Sequence, residues 1–226
     1  MQVVFALLTA YLLGSIPSAV WLGKLLKGID IREHGSGNAG ATNMIRVLGT
    51  WIGIVVLIVD MLKGFLAVRV AAQFPTAATF MGDQDFLMVI MAMMAVLGHI
   101  FPIFAGFKGG KGVATFLGTA LGLFPLTFAC TIGVFLIIFS LTRLVSLGSI
   151  ISGLSMPLLA GLVFNETPVM IAYAIGVALV IPITHRRNIV RLLSGTEKKL
   201  SLKRKKVVLE DIQEPGSTDA LSGADH

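Results

Sequence analysis

The chain has 226 residues, 55% of them hydrophobic and only 13% charged, with a mean hydropathy of +0.89. That is more apolar side chain than a soluble core of this size buries, so the composition excludes an ordinary soluble domain and predicts a multispanning membrane protein. The net charge is +6, and the single cysteine, Cys130, excludes an internal disulfide and a multi-cysteine metal centre. Lying in an apolar run, Cys130 reads as a small packing residue.

Apolar segments fall near 2–22, 51–73, 86–104, 113–124, 126–142, 147–163 and 168–184. The first has no basic residue before it and no small-residue cleavage pattern, so it reads as a membrane helix and not as a removable signal. The breaks differ in charge. Residues 24–50 are polar and glycine-rich with several bases, whereas 74–85 carry Pro75, Asp83 and Asp85 but no Lys or Arg, and 164–167 read Phe-Asn-Glu-Thr.

The stretch 113–163 holds either two long spans or three short ones, because about 20 residues cross the hydrocarbon at 1.5 Å each. Charge separates the two readings, since bases in short loops favour the cytoplasmic side. With three helices, Arg143 and the basic 185–191 segment share a side with residues 24–46 and 108–111. Every Lys and Arg then lies inside except Lys63 and Arg69, which sit within the second span. The sequence therefore predicts an all-α integral membrane protein of seven transmembrane helices, some short, with the N-terminus outside and the C-terminus cytoplasmic. The fourth segment is short for a crossing and suits a half-helix lining a cavity. Five full spans with a re-entrant piece is the alternative, and it leaves the same loops inside. Residues 1–197 form one transmembrane domain. In the tail, 198–226, a basic run (Lys198, Lys199, Lys203, Arg204, Lys205, Lys206) suited to anionic lipid headgroups precedes an acidic, small-residue stretch whose composition predicts disorder.

Three clusters fall on the inner side. The first, His34-Gly-Ser-Gly-Asn-Ala-Gly-Ala-Thr-Asn43, contains Gly-x-Gly-x-x-Gly at 35–40. A dinucleotide site would need a preceding strand in a βαβ unit, and here a membrane helix and a basic linker precede it. What remains is a loop whose glycines allow close backbone approach, with Ser36, Asn38, Thr42 and Asn43 as neutral donors. A helix starting near Ala41 adds free amides, and Arg46 adds a forked donor suited to phosphate. The second cluster is Gly98-His-Ile-Phe-Pro-Ile-Phe-Ala-Gly-Phe-Lys-Gly-Gly-Lys-Gly112. Lys108 and Lys111 stand among Gly106, Gly109, Gly110 and Gly112, so exposed amides and two ammonium groups form a candidate anion site. It is not a Walker loop, because Gly112 stands where Ser or Thr belongs. The third, Thr184-His-Arg-Arg-Asn-Ile-Val-Arg-Leu-Leu-Ser-Gly-Thr-Glu197, puts His185 and Asn188 three apart, on one helical face. Asp60 and Lys63, also three apart, lie deep in the second span, where ionisable groups face the bundle interior. They read either as a mutual lock or as supports for Arg46 and its loop. No histidine pair has zinc-ligand spacing, and there is no Gly-x-Ser-x-Gly.

These three motifs, in this order, resemble the signature motifs of the bacterial acyl-phosphate-dependent glycerol-3-phosphate acyltransferases, the PlsY family. Gly-Ser-Ile-Pro-Ser at 14–18, Asp-Met-Leu-Lys-Gly at 60–64 and Val-Ser-Leu-Gly-Ser at 145–149 are similar to family segments too. The resemblance covers residues 1–197. It implies a seven-helix fold in the bacterial cytoplasmic membrane with its site facing the cytoplasm. It also implies transfer of an acyl chain from acyl phosphate to the 1-hydroxyl of glycerol 3-phosphate, the first acylation of phospholipid synthesis. Both substrates carry phosphate, so two anion sites are needed. The expected assignment places acyl phosphate in the first loop, at Ser36, Gly37, Asn38, Gly40, Thr42 and Asn43. Arg46, Lys108, His185 and Asn188 are expected as catalytic groups around glycerol 3-phosphate, with Gly109, Gly110, Lys111 and Ser146 binding and Asp60 and Lys63 supporting. The proton acceptor is His185 or a substrate phosphate, whose second pKa is about 6. No cofactor, metal or nucleic acid is called for; the expected partners are the two substrates and membrane lipids. A His-x-x-x-x-Asp acyltransferase motif is missing, since Ala39, Phe104 and Val190 stand five residues after His34, His99 and His185. The competing readings are a transporter of a phosphorylated metabolite, and the same transfer from acyl-CoA or acyl carrier protein.

Overall fold

A computed structural model describes residues 1–200; the expectation of a disordered acidic tail falls beyond them, outside the described residues. The described residues form α-helices with short 3₁₀ and π turns and no strand. In chain order the helices are α1 (Gln2–Gly14), α2 (Ser18–Lys27), α3 (Ala41–Leu48), α4 (Thr50–Arg69), α5 (Pro75–Met81), α6 (Gln84–Ile100), α7 (Val113–Leu123), α8 (Pro125–Thr142), α9 (Val145–Leu158), α10 (Pro168–Thr184) and α11 (Arg186–Leu193). Five stretches are long and apolar enough to cross a membrane: Gln2–Lys27, Thr50–Gln73, Gln84–Ala105, Pro125–Thr142 and Val145–Val163. A sixth arises if α10 and α11, bent by 65° at His185, count as one. The remaining apolar helix, α7, is 11 residues long.

Proline and glycine set most boundaries. Pro17 interrupts the first apolar run, so it becomes two helices, α1 and α2, where the sequence suggested one. Pro125 and Pro168 open α8 and α10 at the first helical turn, where a missing N–H costs nothing. Gly49, at φ 102, separates α3 from α4 in a conformation that a side chain resists. The short helix α5, in the break at 74–85, was not predicted.

Two helix pairs cross with their backbones in contact. On α4 and α7, a Cβ at Gly118 would lie 1.8 Å from the Met61 carbonyl oxygen, and one at Gly64 would lie 2.4 Å from that of Thr115. On α1 and α6, Gly14 abuts the main chain of Ala95 and Gly98 that of Tyr11. Small residues at crossings suit a bilayer, where close van der Waals packing drives helix association. The largest apolar core joins α4, α6, α7, α9 and α10 through Val68, Val96, Phe116, Phe124, Met156 and Tyr173. By contrast α8 leaves Leu126, Leu136, Ile137 and Leu141 exposed, as a lipid-facing helix does. Cys130 lies on that exposed surface and not in the packing, which corrects the sequence reading.

Candidate active site

The loops that interrupt the helices meet at one end of the bundle, and side chains tie them together. Arg32, before the first glycine cluster, donates through Nη1 to the carbonyls of Ala105 (2.7 Å) and Lys108 (3.2 Å) in the second. Lys111 of the second donates to Asn188 Oδ1 in the third. Ser146, at the start of α9, donates to Glu197 at 2.8 Å, and Arg46 on α3 to the carbonyl of Lys198 at 3.1 Å. The expected domain boundary at 197 therefore falls within a docked stretch, which Leu200 extends by donating its N–H to Arg143 O at 2.9 Å.

The first loop is knitted from within by Asn43, which is 1% exposed. Its Oδ1 accepts from the Ser36 amide at 2.8 Å, and its Nδ2 donates to the carbonyls of Ile31 and His34, each at 3.0 Å. All of the Asn43 amide is thereby committed, so this residue shapes the loop and has no donor left for a ligand, contrary to its expected role. The Gly37 and Gly40 amides turn back onto His34 and Asn38 carbonyls. The amides of Asn38, Ala39, Ala41 and Thr42 have no partner among the described residues. The last two open α3, which starts at Ala41, where the sequence had suggested a helix, and whose free N–H groups are the kind of donor an anion takes.

The second loop behaves differently. The Gly109 and Gly110 amides, expected to face phosphate, donate to the carbonyls of Ile100 (3.1 Å) and His99 (3.2 Å). These glycines serve close approach instead. A Cβ on Gly109 would meet the His99 carbonyl oxygen at 1.9 Å, and one on Gly110 would meet His99 Nε2 at 2.3 Å. The loop's available charge is therefore on its side chains. Lys108 is exposed and its ammonium is unpartnered among the described residues. Lys111 is partly enclosed, and burial pushes its ammonium down to about 8, with Glu197 opposing and Arg191 and Arg46 reinforcing the fall.

The third cluster is built at the α10–α11 bend. His185 is 3% exposed, and its Nδ1 lies 2.9 Å from the Ile181 carbonyl oxygen. A carbonyl only accepts, so Nδ1 carries the hydrogen, and Nε2 of the neutral ring is the acceptor. Asn188 is oriented at both ends: Oδ1 takes the Lys111 ammonium while Nδ2 donates to Glu197 Oε1 at 2.6 Å. Glu197 also accepts from Arg191 Nε at 2.6 Å. Burial pushes the Glu197 carboxyl up, but the hydrogen bonds from Arg191, Asn188 and Ser146 outweigh it and hold the group below the usual range. Sequence reasoning passed over this residue, although it is the one acid in a segment carrying Arg186, Arg187 and Arg191. Of the expected site residues, Lys111, Ser146 and Asn188 come together around Glu197, and Arg46 is close enough for its charge to be felt by Lys111.

Beneath the loops lies a buried polar knot. Lys63 Nζ stands 2.8 Å from Asp60 Oδ1 and donates at 2.8 Å to the carbonyl of Ile16, at the α1–α2 break. Ser18 donates to the same carboxylate oxygen at 2.7 Å, and His99 Nδ1 lies 3.6 Å from it. Asp60 and Lys63 are thus a mutual lock that also ties the break in the first span to α4 and, through His99, reaches the second glycine loop.

A helical membrane bundle that gathers cations, oriented amides and a free helix end at a single face defines an integral membrane protein with a candidate anion site there. A family model described as glycerol-3-phosphate acyltransferase matches residues 4–195, so the chain belongs to that family. It is 43% identical to a glycerol-3-phosphate acyltransferase of Chlorobaculum tepidum, covering 88% of this chain and 97% of that one. It is 45% identical to one of Bacillus subtilis, covering 88% and 98%. Among solved structures, it resembles PlsY, an integral membrane glycerol 3-phosphate acyltransferase, in its glycerol 3-phosphate form. The TM-score is 0.80 at 38% identity, over 89% of this chain and 96% of that one. The lysophosphatidic acid form of PlsY gives a TM-score of 0.78.

Proposed function

We propose that this chain transfers an acyl group from acyl phosphate to the 1-hydroxyl of glycerol 3-phosphate, releasing 1-acyl-glycerol 3-phosphate and inorganic phosphate for phospholipid synthesis. The observation that carries this reading is the gathering of Lys111, Asn188 and Ser146 around Glu197, with the Arg46 charge nearby, at the end of a bundle of this family that also holds the unpartnered amides of Asn38, Ala39, Ala41 and Thr42. The donor's acyl chain lies in lipid between helices. Its phosphate head takes the first loop, at Ser36, Asn38 and the amides of Ala41 and Thr42, with Gly37, Gly40 and Asn43 shaping that loop. Glycerol 3-phosphate takes Arg46, Lys108, Lys111, His185 and Asn188, with Ser146 beside them.

The hydroxyl oxygen attacks the acyl carbon, the carbon–oxygen bond to phosphate breaks, and the cations stabilise the oxyanion and the leaving phosphate. Acyl phosphate is a mixed anhydride, so no covalent enzyme intermediate is required. The hydroxyl proton passes to a substrate phosphate, and His185 binds substrate. His185 is oriented by a backbone carbonyl, and among the described residues no carboxylate hydrogen-bonds its ring to support an imidazolium. On this reading His185→Ala raises KM for glycerol 3-phosphate but keeps most of kcat at saturation; a collapse of kcat at saturating substrates would make the histidine the base.

The membrane is the bacterial cytoplasmic membrane, crossed seven times, with the N-terminus outside and this end of the bundle in the cytoplasm. The gathering of loops 28–40, 101–112, 143–146 and 194–200 at one end supports the seven-crossing parity, because each pair of consecutive loops encloses an outgoing and a returning helix.

The deciding experiment offers purified protein acyl phosphate, acyl-CoA and acyl carrier protein thioester side by side. The expected result is phosphate release from acyl phosphate only when glycerol 3-phosphate is present, and no product from either thioester. A transporter releases none from any donor, and product from a thioester refutes the assigned donor. The pH profile gives a further check. Lys111 binds phosphate as the ammonium, and its proton is lost as pH rises through about 8. KM for glycerol 3-phosphate should therefore climb above that pH, approaching about tenfold one unit higher, and Lys111→Arg should flatten the climb.

A further inference from the structure

We propose that Arg32 is a positioning residue for acyl transfer: anchored on Asp30, its guanidinium fixes the turn 105–108 that carries Lys108 and leads into Gly109–Lys111. The inference rests on the reading that this second loop binds glycerol 3-phosphate.

The geometry starts with Asp30, which caps the short 3₁₀ turn Ile31–Glu33 by accepting from the Arg32 amide at 3.0 Å. The same carboxylate takes Arg32 Nε on Oδ1 at 2.9 Å and Nη2 on Oδ2 at 2.7 Å, a two-pronged pairing that fixes the guanidinium plane. The Arg32 hydrogen bond holds the Asp30 carboxyl down at about 2, so the anchor stays ionised throughout the working range. Lys24 stands 4.0 Å from Oδ2 and adds charge of the same sign as Arg32. One nitrogen is left, Nη1, and it donates to the carbonyls of Ala105 at 2.7 Å and Lys108 at 3.2 Å.

Those two carbonyls flank Gly106 and Phe107, at φ 63 and φ 58. A left-handed glycine is ordinary, but Phe107 pays for its Cβ in that region. The Phe107 amide is held by Pro102 O at 2.8 Å, and Phe107 itself is exposed, so little packing enforces the turn. Arg32 closes it from the other side, binding the carbonyls before and after the two unfavourable residues with one nitrogen. The result is that the main chain of Lys108 is pinned while its ammonium stays free to close on an anion. Lysine cannot replace this arginine, because a single ammonium cannot clasp both carboxylate oxygens and reach two carbonyls beyond them. The clamp also joins the first loop to the second, so it sets the distance between the two proposed phosphate sites.

The test compares Arg32→Lys and Lys108→Ala with the parent enzyme in acyl-phosphate assays. Arg32→Lys is expected to raise KM for glycerol 3-phosphate by about tenfold, with kcat and KM for acyl phosphate each within about twofold and an unchanged melting temperature. In Arg32→Ala, added methylguanidinium is expected to recover part of the lost affinity. If Arg32→Lys does not fold, Asp30→Asn, which keeps an acceptor but weakens the fork, is expected to show the same selective rise at about threefold. A rise of both KM values together with a fall in melting temperature, or no change in KM for glycerol 3-phosphate in the folded variants, overturns the inference. Should Lys108→Ala raise that KM while Arg32→Lys does not, the loop reading stands and the Arg32 role alone is lost. If Lys108→Ala also leaves it unchanged, the reading of the loop falls and the Arg32 role falls with it.

Discussion

Asp60→Ala should destabilise the protein by about 3–5 kcal/mol, the cost of leaving a buried cation without its partner. Lys63 is 4% exposed and Asp60 1% exposed, so neither charge has water to fall back on. Two other groups are orphaned at once. Ser18 loses its acceptor and His99 loses the carboxylate beside it. The break between α1 and α2 is tied to the same knot, because the Ile16 carbonyl, freed where Pro17 interrupts the helix, accepts from Lys63 as well as from the Ser18 amide. A broken helix inside a membrane persists only if such freed backbone groups find partners. Removing both charges together is a different matter: Asp60→Leu with Lys63→Met should recover most of the loss, since an apolar pair of similar volume often matches a buried ion pair. Thermal unfolding of detergent-purified variants reads both results. A single Asp60→Ala variant within about 1 kcal/mol of the parent would show that the lock contributes little.

What the sequence showed and hid follows from the range of each interaction. The long crossing helices were legible because each is a continuous apolar run, and Asp60 with Lys63 was legible because partners three apart share a helical face. The start of α3 at Ala41 was legible because glycine precedes it and nothing interrupts the helix until Gly49. The split of the first span was written in Ser15-Ile-Pro17, yet a proline inside an apolar run signals a kink as readily as two helices. Harder still was the use of each glycine. Gly109 and Gly110 looked like an exposed amide cradle, but their N–H groups fold back on Ile100 and His99 once Pro102 turns the chain. Composition states that a glycine can approach another backbone, not which one. Glu197 was hidden for a similar reason. Its partner Ser146 is 51 residues away, and nothing local marks a carboxylate that will order an asparagine, a serine and an arginine at once.

Arg46→Ala should lower kcat/KM by about 10²–10³, the usual loss when a preorganised group facing developing negative charge is removed. Arg46 is partly enclosed on α3, four residues beyond Thr42, and its Nη2 rests on the Lys198 carbonyl at 3.1 Å. That contact is with a neutral acceptor, so the guanidinium keeps its charge for a ligand. Lys111 approaches the same region from the second loop, where the Arg46 charge raises the cost of protonating it, and Arg191 raises that cost for both. Like charges gathered in one region are destabilising by themselves, and Glu197, the counter-ion to both, offsets only part of this. A bound phosphate would offset the rest, which is the physical reason to read the pair as a ligand site and not as a structural one. The double variant Arg46→Ala/Lys111→Ala should therefore lose less than the product of the single losses, because both groups act on one anion. The Arg46→Ala variant should also melt no lower than the parent, since removing one of two repelling cations relieves the empty site. Steady-state kinetics and thermal unfolding of the three variants test the whole argument. An Arg46→Ala enzyme that keeps its kcat/KM would sink it, as would single losses that simply multiply.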